Sequence, residues 1–420
     1  MIFRTGIRCP GCSRPVRVRI SISPSDGTPF YFPCPLCQTI VTGEMRGRRP
    51  GTHEVIFCNS EELPGGADPD GVVTIDPNLP LRRDSMRLGE KGGAPGATLA
   101  GLLGPDNLPR FMVTSGRFRG FREHAWPKHQ RWYEFYLHQQ WDHFDRVTRE
   151  EYGVNWSQPR SQGDRDSYAY RVLSLGLAEC TTAGDASDAN FFGELADKLD
   201  VALEIEEYQA YAGAVTSDVD IDQEQKRLWD CIRLFMRLSD SWLPGLIFDL
   251  VSDNPRVDPQ DLHLCRDEFH QLRDMYISCF EACCKTLIYL VELQNTVARG
   301  RPDAFSTQLP AALQGTGKRP PTTRRQFEKL TNHDKLCYLE DWQSLTPRLS
   351  TILDNKLRNA LGHNSIRHDL HSGDIVDDAG FRLPYFEFCA KVYHLASALQ
   401  VASFAVHNVK VTANEKVAPL

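Results

Sequence analysis

The arrangement of apolar and polar positions changes character along this chain of 420 residues. Near the start, "RVRISIS" alternates with a period of two, and "CQTIVTGEMRG" is typical of a strand and a turn. From about residue 126 the apolar positions recur at helical intervals, and in one run they step by three and four from Leu262 to Leu290. The pattern predicts a mainly α protein with a small N-terminal β unit.

Caps and turns give these helices their expected limits. Asp258 before Pro259 predicts an N-cap, and Gly300 predicts the end of a helix over 258–299. Further helices are predicted at 326–342, after Pro347, and at 384–407. The 16-residue segment "RHDLHSGDIVDDAGFR", before the last helix, contains two turn signals and predicts a hairpin.

Composition shifts then suggest domain boundaries. Residues 59–109 are rich in Gly, Pro and Asp and predict a long linker with one short strand at "GVVTI". The expected order is a zinc ribbon at 1–57, a Gly/Pro-rich linker at 58–125, a helical middle region at 126–257, a helical bundle at 258–410 and a tail at 411–420.

Charge restricts the partners. The formal net charge of −7 argues against uniform coating of nucleic acid. The first 50 residues nevertheless hold eight arginines, no lysine and only two acids, Asp26 and Glu44. No apolar run reaches the ~18 residues of a membrane span, and the start has no apolar signal-peptide core. We expect a cytoplasmic protein without a membrane partner.

Four of the 13 cysteines are spaced like metal ligands. "CPGC" supplies Cys9 and Cys12, and "CPLC" supplies Cys34 and Cys37. Four thiolates satisfy a tetrahedral Zn²⁺ ion and leave no open position, so a structural zinc site is predicted. A small β unit buries little core, and a metal would supply the missing stability. The alternative is a redox or unliganded set of thiols.

Several aromatic and polar groups have two interpretations. The ribbon arginines and the run Phe30-Tyr31-Phe32 can bind phosphate and stack on a base, or they can form a solvated basic face and a core. A second aromatic group is expected to be mostly core: Trp132, Tyr133, Phe135, Tyr136, Trp141 and Phe144. A third group is expected to be turn residues rather than metal ligands: His368, Asp369, His371 and Asp374. His407 is expected to be structural.

The stretch "LRNALGHNSI" places Arg358 and His363 five residues apart at a helix end. Cleavage of RNA by its own 2′-hydroxyl needs proton transfer, which histidine performs, and stabilisation of phosphoryl charge, which arginine performs. We expect a left-handed cap at Gly362 that turns His363 back toward Arg358, with Asn359 orienting the imidazole. Two copies across a two-fold axis would give a fuller site.

These residues resemble the Arg-x₄₋₆-His motif of the HEPN superfamily, in which nuclease members often have Arg-Asn-x-x-x-His. The order of predicted helices over about 258–410 is similar too, apart from the hairpin. The resemblance implies a metal-independent endoribonuclease with Arg358 and His363 catalytic and Asn359 in support. It also implies a homodimer through the motif helix and a toxin-like or anti-phage role, with a cognate inhibitor or defence partner.

A second hypothesis treats the same residues without chemistry. The helix dipole favours a basic residue in the last helical turn, and glycine is the usual stop. The chain is then a zinc-ribbon binding or scaffold protein whose helical bundle mediates oligomerisation. The orientation of Arg358 and His363 separates the two hypotheses. If their side chains are packed in a core, they cannot reach a substrate and the enzyme is excluded.

Overall fold

The computed structural model describes residues 2–21, 27–49, 52–63, 69–82, 95–154, 161–180, 186–252, 254–363 and 365–414. As the sequence predicts, the fold is mainly α with a small N-terminal β region. The strands are β1 Ile2–Arg8, β2 Pro15–Ser21, β3 Thr28–Pro33, β4 Ile40–Arg49, β5 Thr52–Phe57, β6 Glu61–Leu63, β7 Gly71–Ile75, β8 Leu81–Arg82, β9 Leu262–His263, β10 Arg367–Asp369, β11 Asp374–Val376 and β12 Arg382–Pro384.

The helices follow from residue 95 onward. They are α1 Pro95–Gly120, α2 Trp126–Leu137, α3 Trp141–Tyr152, α4 Gln162–Ala178, α5 Ala186–Leu203, α6 Glu206–Asp218, α7 Ile221–Arg237, α8 Ser239–Trp242, α9 Pro244–Ser252, α10 Phe269–Arg299, α11 Arg324–Glu328, α12 Asn332–Cys337, α13 Leu345–Ile352, α14 Asn355–Leu361, α15 Tyr385–Tyr393 and α16 Leu395–Asn414.

The chain forms two compact units, and each is assembled from three separate stretches. The first comprises Met1–Val113, Arg237–Asp274 and Asn359–Tyr393, and the second comprises Thr114–Met236, Met275–Arg358 and His394–Leu420. This division does not follow the consecutive boundaries that composition predicted. Composition reports where a chain is polar or Gly-rich, whereas compact units depend on contacts between distant segments.

The ribbon in the first unit is built from two hairpins. β1 pairs with β2, β3 pairs with β4, and β4 also pairs with β5. The predicted alternation in β2 is observed: Val16, Val18 and Ile20 are buried in a shared core, while Arg17 and Arg19 occupy the alternate positions. Each hairpin turn holds one pair of the predicted metal ligands.

The predicted linker at 58–125 contains regular structure in its described residues. β6 and β7 complete a four-stranded sheet in the order β6-β1-β2-β7, and β7 runs parallel to β2. Val73 and Ile75 of β7 join the ribbon core. The short strand predicted at "GVVTI" is confirmed as β7, whereas β6 was not predicted. The parallel pairing with β2 was not predicted either, because pairing between remote segments leaves no local signal.

Helix α1 was also missed inside the predicted linker. It is interrupted at Gly104, which has a φ of 72° and precedes Pro105, so two helical segments meet at a kink. Glycine adopts this left-handed conformation at little cost. The side chain of Asn107 donates to the carbonyl of Leu250 at 2.9 Å, which ties the helix to α9. Gly and Pro in this region mark a kink between helices, not a linker.

Four predicted helices have different limits. The helix expected after Pro347 is divided into α13, which begins at Leu345, and α14. The helix expected at 258–299 begins at Phe269, because Leu262 and His263 pair with β8, and Asp258 caps a short 3₁₀ turn instead. The helix expected at 326–342 is divided into α11 and α12. The last expected helix is divided into α15 and α16. The expected end at Gly300 is confirmed by its φ of 76°, and the hairpin after the motif is confirmed as the sheet β10-β11-β12.

The second unit has an aromatic core, as predicted for the segment after residue 126. Trp132, Tyr133, Tyr136 and Phe144 are buried. The indole of Trp132 donates to the hydroxyl of Thr148 at 2.8 Å, which satisfies its buried N–H. Helix α16 packs against α4 and α6 and brings a long apolar surface to this core.

Candidate functional site

The two Cys-Pro-x-Cys loops have the same backbone conformation. The amide of Ser13 donates to the carbonyl of Cys9 at 3.0 Å, and the amide of Gln38 donates to the carbonyl of Cys34 at 2.9 Å. Both Ser13 and Gln38 have positive φ values, of 56° and 64°. A positive φ is costly for residues other than glycine, so the same strained turn at both loops indicates a shared task.

Backbone amides also contact the first sulfur of each loop. The amide of Gly11 donates to the Sγ of Cys9 at 3.4 Å, and that of Leu36 donates to the Sγ of Cys34 at 3.5 Å. In both loops the donor is the backbone amide two residues after the cysteine. Each loop therefore holds its first sulfur atom in the same position relative to the backbone.

The fold brings the four predicted ligands together. The sulfur atoms of Cys9, Cys12, Cys34 and Cys37 all lie within 4.8 Å of one another, and those of Cys9 and Cys37 are 3.5 Å apart. All four cysteines are free thiols. Four converging sulfurs without a disulfide form a cluster that can hold a metal ion. Among the described residues, no other His, Cys, Asp or Glu group has this geometry.

The protonation of two of these thiols differs strongly. Burial raises the pKa of Cys34 to about 12. Hydrogen bonds with the side chain and backbone of Thr39 lower the pKa of Cys37 to about 6. Cys34 is buried and Cys37 is exposed. The cluster thus joins a buried thiol, which a metal would have to deprotonate, to an exposed thiol that ionises readily.

The ribbon aromatics are part of the core and do not form a base-stacking surface. Phe30, Tyr31 and Phe32 are each 2% exposed or less. The hydroxyl of Tyr31 donates to the carbonyl of Leu264 at 3.1 Å. The hypothesis that this aromatic run stacks on a base was therefore wrong. Phe30 and Phe32 belong to the ribbon core, and Tyr31, on the opposite face of β3, packs edge-on against His263 and His368.

Two of the polar residues near 370 have structural partners. The imidazole of His368 is 2% exposed, lies 3.0 Å from a carboxylate oxygen of Asp267, and stacks on Tyr385 with ring centroids 4.3 Å apart. Asp374 is buried and forms an ion pair with Arg382. These groups satisfy one another within the first unit.

Arg358 is located in α14 and is partly exposed. Its Nη2 lies 2.6 Å from Oε1 of Glu281, and its Nε donates to the same oxygen at 2.7 Å. The other oxygen of Glu281 accepts from the side chain of Asn332 at 3.0 Å. The side chains of Arg358 and Glu281 are 35% and 42% exposed, so this ion pair is open to solvent.

Asn359 and His363 are exposed. After α14, the amide of Gly362 donates to the carbonyl of Asn359, and the amide of His363 donates to the carbonyl of Ala360, each at 3.1 Å. These are i→i−3 bonds that continue the helical winding. Gly362 is not among the described glycines with positive φ. The predicted left-handed cap at Gly362 was therefore wrong.

The second unit contains a cavity of about 680 Å³ that the sequence did not predict. Beside it, the hydroxyl of Tyr136 donates to the buried carboxylate of Asp166 at 2.6 Å. His407, expected to be structural, lies 2.8 Å from the hydroxyl of Tyr133, and burial lowers its pKa to about 3. Polar residues at buried helical positions were the available signal. The network satisfies its own hydrogen bonds, and His407 remains neutral.

Comparisons with known proteins give the chain no family. No family model matches it, and no curated protein or solved structure matches it. No helix in the described part of the chain is both long and apolar enough to cross a bilayer. The candidate sites therefore rest on their own geometry: a four-cysteine cluster in the ribbon, and an exposed Arg-Asn-x-x-x-His segment at the end of α14.

Proposed function

We propose that the four-cysteine cluster binds one structural Zn²⁺ ion. A regular tetrahedron with Zn–S bonds of about 2.3 Å has sulfur-to-sulfur edges of about 3.8 Å. The separation of 3.5 Å between Cys9 and Cys37 is close to this value, and all four sulfurs lie within 4.8 Å. With four protein ligands the ion has no position for substrate, so its role is to hold the two hairpins together.

We propose further that the chain is a metal-independent endoribonuclease of HEPN type. One observation carries this proposal: Arg358 is partly exposed, and Asn359 and His363 are exposed, rather than packed in a core. A catalytic Arg/His pair must reach substrate, and this arrangement permits it. The resemblance to the HEPN motif gives the exposed residues their proposed roles.

In this mechanism the 2′-hydroxyl of RNA attacks the adjacent phosphorus and releases the 5′-oxygen. His363 moves protons as general base or acid, which typically contributes about 10²- to 10⁴-fold. Arg358 binds the phosphoryl oxygens and stabilises their added negative charge. Asn359 orients the imidazole. Glu281 holds the guanidinium until a phosphate replaces its carboxylate.

A second copy of the chain is part of this proposal. Residues five apart on a continuing helix are rotated by about 140° and do not share a face. Without a left-handed cap at Gly362, one chain does not gain the reversal that would correct this. A two-fold axis along the motif helices would place Arg358 of one copy beside His363 of the other. The active form is then a homodimer.

The cellular role follows from the chemistry. An intracellular ribonuclease harms its host unless it is restrained, so we propose a toxin-like or anti-phage effector in the cytoplasm. Its partners would be RNA and a cognate inhibitor or another defence component. The ribbon or the helical segments after residue 126 would sense the trigger or recruit RNA.

The ion pair between Arg358 and Glu281 favours a second candidate. An arginine already engaged by a carboxylate can simply fasten α14 to α10. The chain would then be a zinc-ribbon scaffold whose helical part mediates assembly without chemistry. This candidate predicts no RNA cleavage in any form of the protein.

The test is incubation of purified full-length protein with mixed RNA during a brief exposure to EDTA. Cleavage that leaves 2′,3′-cyclic phosphate ends, and that His363→Ala and Arg358→Ala each reduce at least 10²-fold, supports the nuclease. His371→Ala is the matched control, since His371 is an exposed histidine outside the motif. Equal cleavage by wild type and His363→Ala, or no cleavage at all, favours the scaffold.

A further inference from the structure

The outer face of the four-stranded ribbon sheet carries a group of arginines that the proposed active site does not use. In β1 and β2, Arg4 is directly opposite Arg19, and Arg17 is opposite Gly6. Residues at alternate positions share a face, so Arg4, Arg17 and Arg19 lie on one side of the sheet, together with Arg8, which is opposite Pro15. The opposite side is the buried ribbon core, which includes Ile7, Val16 and Val18.

These three arginines differ from other arginines of the same ribbon. Arg8, Arg14 and Arg46 form ion pairs with Glu61, Asp70 and Glu44. Arg4, Arg17 and Arg19 form no ion pair with any residue that the structure describes. In a chain with a net charge of −7, acids are plentiful, yet the acid that lies on this face, Glu61, pairs with Arg8.

The placement also has a cost for folding. Like charges directly opposite one another on neighbouring strands are destabilising. The register places Arg4 and Arg19 in such a pair, with Cβ atoms about 4.5–5.5 Å apart. The Nε of Arg19 is buried and has no hydrogen-bond partner among the described residues. A bound polyanion would offset this repulsion, whereas folding alone gains nothing from it.

We propose that this face, defined by Arg4, Arg17 and Arg19 and named here the arginine face, binds the phosphate backbone of RNA. One guanidinium group donates two parallel hydrogen bonds to a phosphate, which an ammonium group does not do. Arg17 and Arg19 are two residues apart on one strand, or about 6.7 Å. This spacing is close to that of successive phosphates along a nucleic-acid strand. The surface therefore suits a repeating polyanion better than a single anion.

The ligand's anionic character follows from the arginines alone, and the choice of RNA among polyanions rests on the proposed function. The arginine face contains no base-stacking ring, since Phe30, Tyr31 and Phe32 are in the core. Binding is then independent of RNA sequence, because phosphate contacts carry no sequence information. The surface recruits RNA, and selection of the cleavage position takes place elsewhere.

The test measures binding separately from cleavage. Full-length His363→Ala protein is titrated with a fluorescent mixed-sequence RNA of about 20 nucleotides over about 50 to 200 mM salt. The variant R4Q/R17Q/R19Q is compared with R14Q/R46Q/R367Q, which removes the same charge from ion-paired arginines of the first unit that lie outside β1 and β2. The first triple should bind at least tenfold more weakly than the second. Its salt slope should fall by about 2, at about 0.7 per phosphate contact.

Two further measurements guard against misinterpretation. Thermal unfolding of R4Q/R17Q/R19Q should occur at the same or a higher temperature, because the repulsive pair is removed. If that triple fails to fold, R4K/R17K/R19K retains the charge and should bind RNA more weakly through loss of the paired donors, with an unchanged salt slope. Equal affinities of this lysine variant and the parent would then overturn the proposal.

Other outcomes of these experiments also test the arginine face. Equal loss of affinity in the two glutamine triples would overturn the arginine face. So would polyglutamate or phosphatidylserine vesicles binding to it in preference to RNA. If RNA binding depends on the arginine face but the wild-type protein cleaves no RNA, the arginine face is supported and the proposed nuclease activity is refuted. If R4Q/R17Q/R19Q cleaves RNA as fast as the wild type at low RNA concentration, the nuclease is supported and the arginine face is refuted.

Discussion

The four-cysteine cluster and the segment from Arg358 to His363 are both short polar motifs, but they are organised differently. Each cysteine loop fixes its own geometry through backbone bonds within six residues, and two hairpins then bring the loops together. In the second segment, Arg358 is held by a carboxylate on α10, and His363 follows two i→i−3 turns at the surface.

This difference shows which kind of site one chain can complete. Four ligands that converge from two self-contained loops need no other molecule except the ion. Under the proposed function, Arg358 and His363 would act together only across a second copy, since residues five apart on an ideal helix are rotated by about 140°. The cluster should therefore respond to mutation as a folding unit, and the Arg/His segment as a functional unit with little effect on folding.

The largest expected effect is from Cys34→Ala. Removing one ligand should abolish the stoichiometric binding of about one zinc per chain, and the ribbon should lose its fold, because structural zinc sites contribute about 10–16 kcal/mol of apparent binding energy. Metal content by mass spectrometry and protease protection of residues 2–75 measure both. Cys58→Ser is the control, as Cys58 is exposed and outside the cluster. Full zinc content in Cys34→Ala would contradict the assignment of ligands.

The next largest effect tests whether the active site is shared between two copies of the chain. Arg358→Ala and His363→Ala proteins should each be inactive, whereas an unfolded and refolded mixture should regain about a quarter of wild-type cleavage. Random pairing makes half of the dimers mixed, and each mixed dimer has one intact site of two. The assay is RNA cleavage by the mixture at equal total protein. A mixture no more active than its components would mean that each site belongs to one chain, or that no site exists.

A smaller effect separates the two cysteine loops. A Cβ at residue 11 would lie 2.8 Å from the Cβ of Thr39, whereas the second loop has Leu36 at the equivalent position. Gly11→Ala should therefore cost about 1–3 kcal/mol through crowding, seen as zinc affinity about tenfold weaker or more in competition with a chelator. Leu36→Ala introduces no such contact and should retain zinc affinity. Equal losses would mean that the loops do not share one geometry.

The sequence predicts these features to different extents for physical reasons. Cys-x-x-Cys loops are local, so their spacing was enough to identify the cluster. The strand "GVVTI" was also visible, but its parallel partner β2 is some fifty positions earlier, and nothing near residue 71 indicates that pairing. The arginine face depends on the same register. Arg4 and Arg19 appear unrelated in sequence until β1 and β2 are paired.

Misplaced helix limits have local causes too. The periodic run from Leu262 includes residues that pair as β9 before α10 begins, since buried strand and helix positions are alike over a few residues. At Gly362 the general preference of glycine for a left-handed stop gave way to continued winding. Arg358 and His363 were identified from residue types alone, and their relative orientation required the backbone conformation that follows α14.

The smallest expected effect concerns the stability contribution of Arg358. Its ion pair with Glu281 is open to solvent, so Arg358→Ala should destabilise the protein by less than about 1 kcal/mol. Arg324→Ala is the matched control in the same unit. It removes the partner of Glu292, whose side chain is only 3% exposed, and should cost about 3–5 kcal/mol by leaving a buried charge uncompensated. Denaturant unfolding measures both. Should Arg358→Ala cost as much as Arg324→Ala, the arginine would be a structural fastener of α14, and its loss of activity would no longer identify a catalytic group.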